Sequence, residues 1–324
     1  LRILGPMTAR PHDFVRLADL SDRQVEDILD LSARLKRGAH RADLAGHSVG
    51  LLFFRGSLRT RTSLVAAVQQ LGGQTINLTA ASDFWALEAR DGTVMDGEAP
   101  EHIRDAAAVM SKYVSALAIR PKPAGKSWQT DREDASIEAW ARHSEIPEIN
   151  MESAHWHPLQ ALADLLTLRE TLGDLSGRRL AITWTRSPTP MSPSVVHSVL
   201  LAALRSGMDV RVAHPAGHDL DPGVVGEADK LASARGVEFE TGLEMDDAVA
   251  GSHVVYARSW ESLETYGNPT LAASRLARSG DWTLDERRMA RGEKARLMHP
   301  MPVRRNLEVS DCLLYTSDAA DESS

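Results

Sequence analysis

The sequence predicts an α/β protein of two domains, each a parallel-type sheet flanked by helices and joined by an interdomain helix. Short β-branched and aliphatic runs alternate with longer segments of helical period, the pattern of parallel sheets covered on both faces. The alternation restarts after Gly173, so the helical segment 158–172 reads as the joint between two halves. The length of 324 residues fits two domains of the usual size, about 100 to 200 residues each.

Element by element, Ser21 and Gln24 form a capping-box signature ahead of a stripe of Val25, Ile28, Leu29 and Leu35, which predicts a first helix. Residues 48–54 read as a buried strand, 62–71 as a helix stopped by Gly72-Gly73, and 74–78 as the next strand, together a βαβ unit. A helix over 101–113, a strand at 116–120, a helix over 134–143 and a strand at 148–151 complete the first half. In the second half, 180–184 is a strand, and Ser192-Pro193 supplies N-cap and N1 residues for a helix through Arg205. Strands at 210–213, 237–240, 254–257 and 296–298 then alternate with helices over 222–235, near Asp246 and near Asp285.

Composition narrows the function. Hydrophobic residues at 43% and charged residues at 25% exclude a disordered chain. A net charge of −8 argues against a general nucleic-acid binder, yet 31 of the 37 cations are Arg, the side chain suited to bidentate contact with phosphate and carboxylate. The single Cys312 excludes an intramolecular disulfide framework, the longest nearly apolar stretch, 195–204, is too short for a membrane span, and no secretory pattern opens the chain. A cytoplasmic protein is expected, with no membrane or nucleic-acid partner. Met7 is the first plausible initiator, which marks 1–6 as upstream sequence, and 312–324 reads as an atypical tail of a truncated frame.

Ligands of open α/β sheets bind beyond the carboxyl ends of the strands. Here the strands are followed by Arg55 to Arg61, Arg120, Glu152, Arg186-Ser187, His214, Arg258 and His299 to Arg305, so a cationic crevice between the two domains and a small anionic ligand are expected. Ser57-Leu-Arg-Thr-Arg61 lies at a strand-to-helix turn, where free N–H groups and the helix dipole attract phosphate and Arg59 and Arg61 can fork onto its oxygens; a helix cap with solvated arginines is the plainer alternative. His157 and Gln160 open the joining helix. His155 and His157 could instead ligate a metal, but no matching Cys or second His pair accompanies them, and a core or capping histidine is the simpler role. Trp85 sits in a polar stretch, 80–96, and reads equally as part of a local cluster or as a ligand or subunit contact. Glu152 fits an ion pair, a helix-dipole partner or an ammonium-binding carboxylate.

Together, Ser57-Leu-Arg-Thr-Arg61, Arg120, His157-Pro-Leu-Gln160 and His299-Pro-Met-Pro302 resemble the carbamoyltransferase family that includes the aspartate and ornithine enzymes, over about Phe14 to Asp311. The Trp85 loop, Gly92 to Gly97, Asn150 to Glu152, Tyr256 to Trp260 and Val303 to Asn306 are similar to the branch acting on N-acylated ornithines. The resemblance implies residues 1–153 as a carbamoyl-phosphate-binding domain and 154–311 as an acylornithine-binding domain. It implies Ser57, Leu58, Arg59, Thr60 and Arg61 as phosphate contacts, with Trp85 reaching in from a neighbouring subunit of a homotrimer. Arg120, His157 and Gln160 would hold the carbamoyl group with the Pro300-Met301 backbone, and Arg120, His157 and Thr60 would be catalytic. Glu152, Arg258 and Arg304 would contact the acylated amino acid; no metal or organic cofactor is implied.

At the position where the branch carries Glu for acetylornithine and Pro for succinylornithine, this chain has Pro100, which is neutral and does not repel a second carboxylate. It departs from the branch at Ser187, where His is usual and where neighbouring Arg186 is expected to take the succinyl carboxylate, at Arg258 in place of Lys, and at Pro300 in place of the Cys common in ornithine-type enzymes. No counterpart of the family's closing strand and terminal helix is recognisable after Asp311. The chain is therefore expected to be a carbamoyltransferase less stable than a full-length relative, with the activity of the truncated form left open, which leaves a non-catalytic anion-binding relative as an alternative from another class.

Overall fold

The computed structural model describes residues 13–39 and 42–318; the expectation for residues 1–6 and Met7 lies outside them. The chain forms two compact units. One holds the chain up to Ala124 together with Gln129–Leu166, and the other holds Gly125–Trp128 and the chain from Thr167 onward. The division falls within the joining helix.

The first unit contains α1 (Asp22–Lys36), β1 (Ser48–Phe53), α2 (Arg59–Gln70), β2 (Gln74–Thr79), β3 (Leu87–Glu88), β4 (Glu101–His102), α3 (Ile103–Met110), β5 (Ala116–Arg120), most of α4 (Trp128–Asp131), α5 (Ala135–His143), β6 (Glu148–Asn150) and the start of α6 (Pro158–Leu172). Its main sheet is parallel in the order β2-β1-β5-β6. Strands β1, β5 and β6 are largely covered on both faces, as a parallel sheet requires, while edge strand β2 has no buried residue. Leu52, Leu117 and Ile119 pack on one side with Ile103, Ala107, Ile137 and Trp140, while Leu51, Phe53 and Ala118 pack on the other with Met151. The chain leaves β1 for β2 on one side and returns at β5 on the other, so β1 and β5 flank a topological switch point; Phe53 pairs with Arg120 at its rim.

The second unit contains β7 (Arg179–Trp184), α7 (Ser194–Arg205), β8 (Asp209–Ala213), α8 (Pro222–Arg235), β9 (Phe239–Leu243), α9 (Met245–Val249), β10 (Val254–Arg258), α10 (Pro269–Arg278), α11 (Glu286–Met289), β11 (Arg296–Met298) and α12 (Asp311–Asp318). Its sheet is parallel in the order β11-β10-β7-β8-β9, with the switch point between β7 and β10, where Trp184 pairs with Arg258. Val195 through Leu204 of α7 are all buried, which accounts for the almost uninterrupted apolar run there. Among the described residues no helix is long and apolar enough to cross a membrane.

Several boundaries differ from expectation. Helix α2 begins three residues early, at Arg59, because the Leu58 carbonyl already accepts the Thr62 N–H at 3.1 Å. The helix expected from Glu101 begins at Ile103, since Glu101 and His102 pair with β3 and the His102 ring accepts the Arg104 N–H at 3.0 Å. Strand β9 runs two to three residues later than 237–240, where a register shift at Val212 and Ala213 brings Ala213 opposite Leu243. Helices α4, α10 and α12 are additions, the last within the stretch set apart as a tail.

Candidate active site

The first unit gathers its site around Arg120, the last residue of β5. Arg120 Nη1 donates to Ser57 Oγ at 2.8 Å and to Thr60 Oγ1 at 3.0 Å, while Nη2 meets the Glu152 carboxylate. Arg55, just past β1, donates from Nη2 to the Glu152 carbonyl at 3.1 Å, and the same nitrogen lies 3.2 Å from Glu152 Oε2 as an ion pair. Glu152 is 2% exposed, and its N–H is fixed on Asn150 Oδ1 at 3.0 Å. Two guanidiniums on one buried carboxylate need this surrounding hydrogen bonding to offset desolvation. The ion-pair alternative for Glu152 is thus its arrangement in the structure.

Arg59, Thr60 and Arg61 form the first turn of α2, whose N-cap Leu58 makes no side-chain cap, leaving N-terminal N–H groups to an anion. Arg59 is exposed. Arg61 instead donates from Nη2 to Thr79 Oγ1 at 2.8 Å and lies over the Phe53 ring at 4.2 Å, so it braces β1 and β2 rather than joining Arg120. His157 is buried ahead of α6 and accepts the Gln160 N–H on Nδ1 at 3.4 Å, the capping geometry, while the Gln160 side chain donates to Asp164 Oδ1 at 2.9 Å. The His155 ring stacks on Trp156 at 4.2 Å, with Nδ1 3.0 Å from the Arg132 carbonyl. Among the described residues no group of three or more His, Cys, Asp or Glu could hold a metal. Close by, Asp134 accepts from Ser153 Oγ and from the Ala154 N–H, and burial pushes its carboxyl up to about 7 against those hydrogen bonds. Trp85 (69% exposed) and Pro100 lie at the two ends of the segment leading from β2 to β4.

In the second unit the switch point between β7 and β10 carries the other set. Arg304 Nε donates to the buried Ser187 Oγ at 3.0 Å and Nη2 to Thr189 Oγ1 at 2.5 Å; its backbone N–H donates to Glu308 Oε2 at 2.9 Å. Glu308 Oε2 also lies 3.3 Å from His299 Nε2, while His299 Nδ1 accepts the Met301 N–H at 2.9 Å. Burial pushes the His299 imidazole down despite Glu308. Burial would raise the Glu308 carboxyl, but His299 and the Arg304 N–H outweigh it and hold it below the usual carboxylate range. Arg258 is 5% exposed at the end of β10, and Arg186 is half-buried after β7, its N–H 3.4 Å from the Trp282 carbonyl. Pro300 is half-buried and Met301 exposed.

Thus Ser57, Thr60, Arg120 and Glu152 come together in one unit and Ser187 and Arg304 in the other. Arg55, His299 and Glu308 belong to the same clusters without having been assigned roles. Arg55 and His299 carry the legible signal, each standing first or second after a strand; Glu308 carries none, since only the turn at Arg304 to Val309 brings it back.

Comparison with known proteins decides the family. Residues 12–170 match the aspartate/ornithine carbamoyltransferase carbamoyl-P binding domain, and 191–320 match the Asp/Orn binding domain. The chain belongs to the aspartate/ornithine carbamoyltransferase family. It is 36% identical over 315 residues, 96% of this chain and 93% of the relative, to N-acetylornithine carbamoyltransferase of Xanthomonas campestris pv. campestris. It is 32% identical over 263 residues, 81% of this chain and 77% of the relative, to N-succinylornithine carbamoyltransferase of Bacteroides fragilis. Its fold matches, with a TM-score of 0.90 and 36% identity over 93% of this chain and 92% of the other, a crystal structure of a glutamate-to-proline variant of N-acetyl-L-ornithine transcarbamylase complexed with carbamyl phosphate and N-succinyl-L-norvaline. This carbamoyltransferase is of the N-acylornithine type.

Proposed function

We propose that this carbamoyltransferase moves the carbamoyl group of carbamoyl phosphate to the δ-amine of N2-succinyl-L-ornithine, giving N-succinylcitrulline and phosphate for arginine biosynthesis. Pro100 carries the substrate choice. A carboxylate there would repel the second carboxylate of a succinyl group, and proline removes that charge and leaves room. The glutamate-to-proline variant of an acetylornithine enzyme complexed with N-succinyl-L-norvaline supports this choice.

In this scheme the N–H groups of Ser57, Leu58, Arg59, Thr60 and Arg61 and the side chains of Ser57, Arg59 and Thr60 take the phosphate, while the Arg61 side chain braces β1 and β2; the existing link of Arg120 to Ser57 and Thr60 supports a shared role for them. The neutral δ-amine attacks the carbamoyl carbon. A C–N bond forms, charge builds on the carbamoyl oxygen, and the C–O bond to phosphate breaks as the amine gives up a proton to the departing phosphate. Arg120, His157 and Thr60 stabilise that oxyanion, with Gln160 and the Pro300-Met301 backbone holding the carbamoyl group. Glu152, Arg258 and Arg304 bind the amino acid, and Arg186 beside Ser187 takes the succinyl carboxylate. The scheme uses no metal or organic cofactor. Exposed Trp85, with Val94 at 81% and Met95 at 40% exposure on the same segment, suits cover by a second copy, and a cytoplasmic homotrimer sharing Trp85 is the proposed assembly.

Acetylornithine is the second reading, favoured by the 36% identity to the Xanthomonas enzyme. Initial rates of wild type and Pro100→Glu with both acyl substrates separate the two. Wild type is expected to prefer succinylornithine, and the variant to shift the ratio toward acetylornithine by about tenfold or more, the scale of one unfavourable charge pair. An acetyl preference in wild type that Pro100→Glu leaves unchanged overturns the succinyl assignment.

A further inference from the structure

We infer that Asp91 is a positioning residue, anchoring the segment that carries Trp85 and Pro100 to the rigid α3–α5 pair; the inference rests on the acylornithine reading of that segment. The Asp91 carboxylate collects cations from two helices. Oδ1 lies 2.9 Å from Arg104 Nη2 of α3 and 3.3 Å from His143 Nε2 of α5, and Oδ2 lies 3.2 Å from Arg142 Nη1 of α5. His102 Nε2 stands 3.8 Å from Oδ1. Because His102 Nδ1 accepts the Arg104 N–H at 3.0 Å, its proton sits on Nε2, which donates to the Arg90 carbonyl at 3.2 Å. The segment is therefore held on both sides of the Arg90-Asp91 peptide bond.

These ties have a firm base. Ile103, Ala106 and Ala107 of α3 and Ile137, Ala139, Trp140 and Ala141 of α5 pack in one core cluster, so the two helices cannot shift independently of it. On the other side stands a weak ladder of two residue pairs, Leu87 with Glu101 and Glu88 with His102. Among the described residues, no hydrogen bond or ion pair holds 93–100. Asp91 and the β3–β4 ladder are thus what fixes the path to Pro100. A single exposed ion pair contributes little, but two guanidiniums from two packed helices hydrogen-bonded to the two oxygens of one carboxylate fix direction as well as distance. A pre-ordered segment offers Pro100 and Trp85 to a ligand without a further ordering cost.

Asp91→Asn keeps the shape and removes the charge. Expected are faster amide hydrogen exchange confined to 87–90 and 101–102, the β3–β4 ladder and Arg90, a KM for the acylated amino acid raised about tenfold with kcat changed much less, and an unaltered melting temperature; Asp91→Glu recovers part of the KM. Should Asp91→Asn lower stability globally, Arg142→Gln, at an exposed position on α5, is the second variant, with the same changes expected in smaller measure. Unchanged exchange in 87–90 and 101–102, or faster exchange there with unchanged KM, overturns the inference. A wild type that turns over only unacylated ornithine would sink the substrate reading instead, leaving the exchange measurement to decide on Asp91.

Discussion

Arg120 shows how one residue acquires its setting. As the last residue of β5 it sits opposite Phe53 at the rim of the sheet, and its fork spans Ser57 and Thr60 on one nitrogen and Glu152 on the other. Guanidinium geometry makes this possible, since five donors in one plane serve several acceptors at once. Arg120→Ala is expected to lower kcat by about 10² to 10³ with the fold intact by circular dichroism, the cost of losing one oxyanion donor. An activity loss below about threefold would remove Arg120 from the scheme. Ser57, Thr60, Arg120 and Glu152 were legible because each follows a strand or opens a helix, where chain topology concentrates ligand contacts. The path of Arg61 to Thr79 was not, because spacing does not tell which way a first-turn side chain swings. Arg55 stood at a legible position, two residues past β1, and was left without a role.

At the scale of elements, periodicity was informative wherever a face is buried and silent elsewhere. Helix α10 has no buried residue, so no apolar stripe announces it; only Asn268 as cap and Pro269 at the first turn do, with Asn268 Oδ1 accepting the Leu271 N–H at 3.1 Å. The two-residue strands β3 and β4 are too short for alternation to register. Just before α10, Gly267 adopts φ +76°, and a Cβ there would stand 2.2 Å from the Lys126 carbonyl oxygen. Both the left-handed backbone and the close approach require glycine. Gly267→Ala should cost on the order of 2 kcal/mol or more in urea unfolding. A loss within about 0.5 kcal/mol would show that the 125–128 strand of chain yields easily at this contact.

For the molecule as a whole, composition suggested an acidic protein with an excess of arginine, and the arginines resolve into local clusters on acidic partners: Arg55 and Arg120 on Glu152, Arg104 and Arg142 on Asp91, Arg287 and Arg288 on Asp246. Net charge therefore said little about the sites. It says equally little about pH dependence, where one buried group stands out. Burial, with help from the Asp13 charge and against a hydrogen bond from Ser144, pushes the Glu148 carboxyl up to about 9. The folded state thus keeps a proton that the unfolded chain releases near its ordinary value of 4.5. The stabilisation is complete below that value and is lost as pH rises toward about 9. Between pH 6 and 9 the melting temperature of Glu148→Gln should fall less than that of wild type; parallel profiles would mean Glu148 does not hold the proton.

The alternation of strands and helices was enough to draw two parallel sheets, and the ordered motifs along them were enough to reach the family. In the proposed reading the choice of acyl group turns on a single exposed proline, which neither periodicity nor packing singles out. Initial rates with carbamoyl phosphate and, in turn, ornithine, N-acetylornithine and N-succinylornithine test it most directly. The highest kcat/KM is expected with N-succinylornithine, and a highest kcat/KM with N-acetylornithine or with unacylated ornithine would contradict the account.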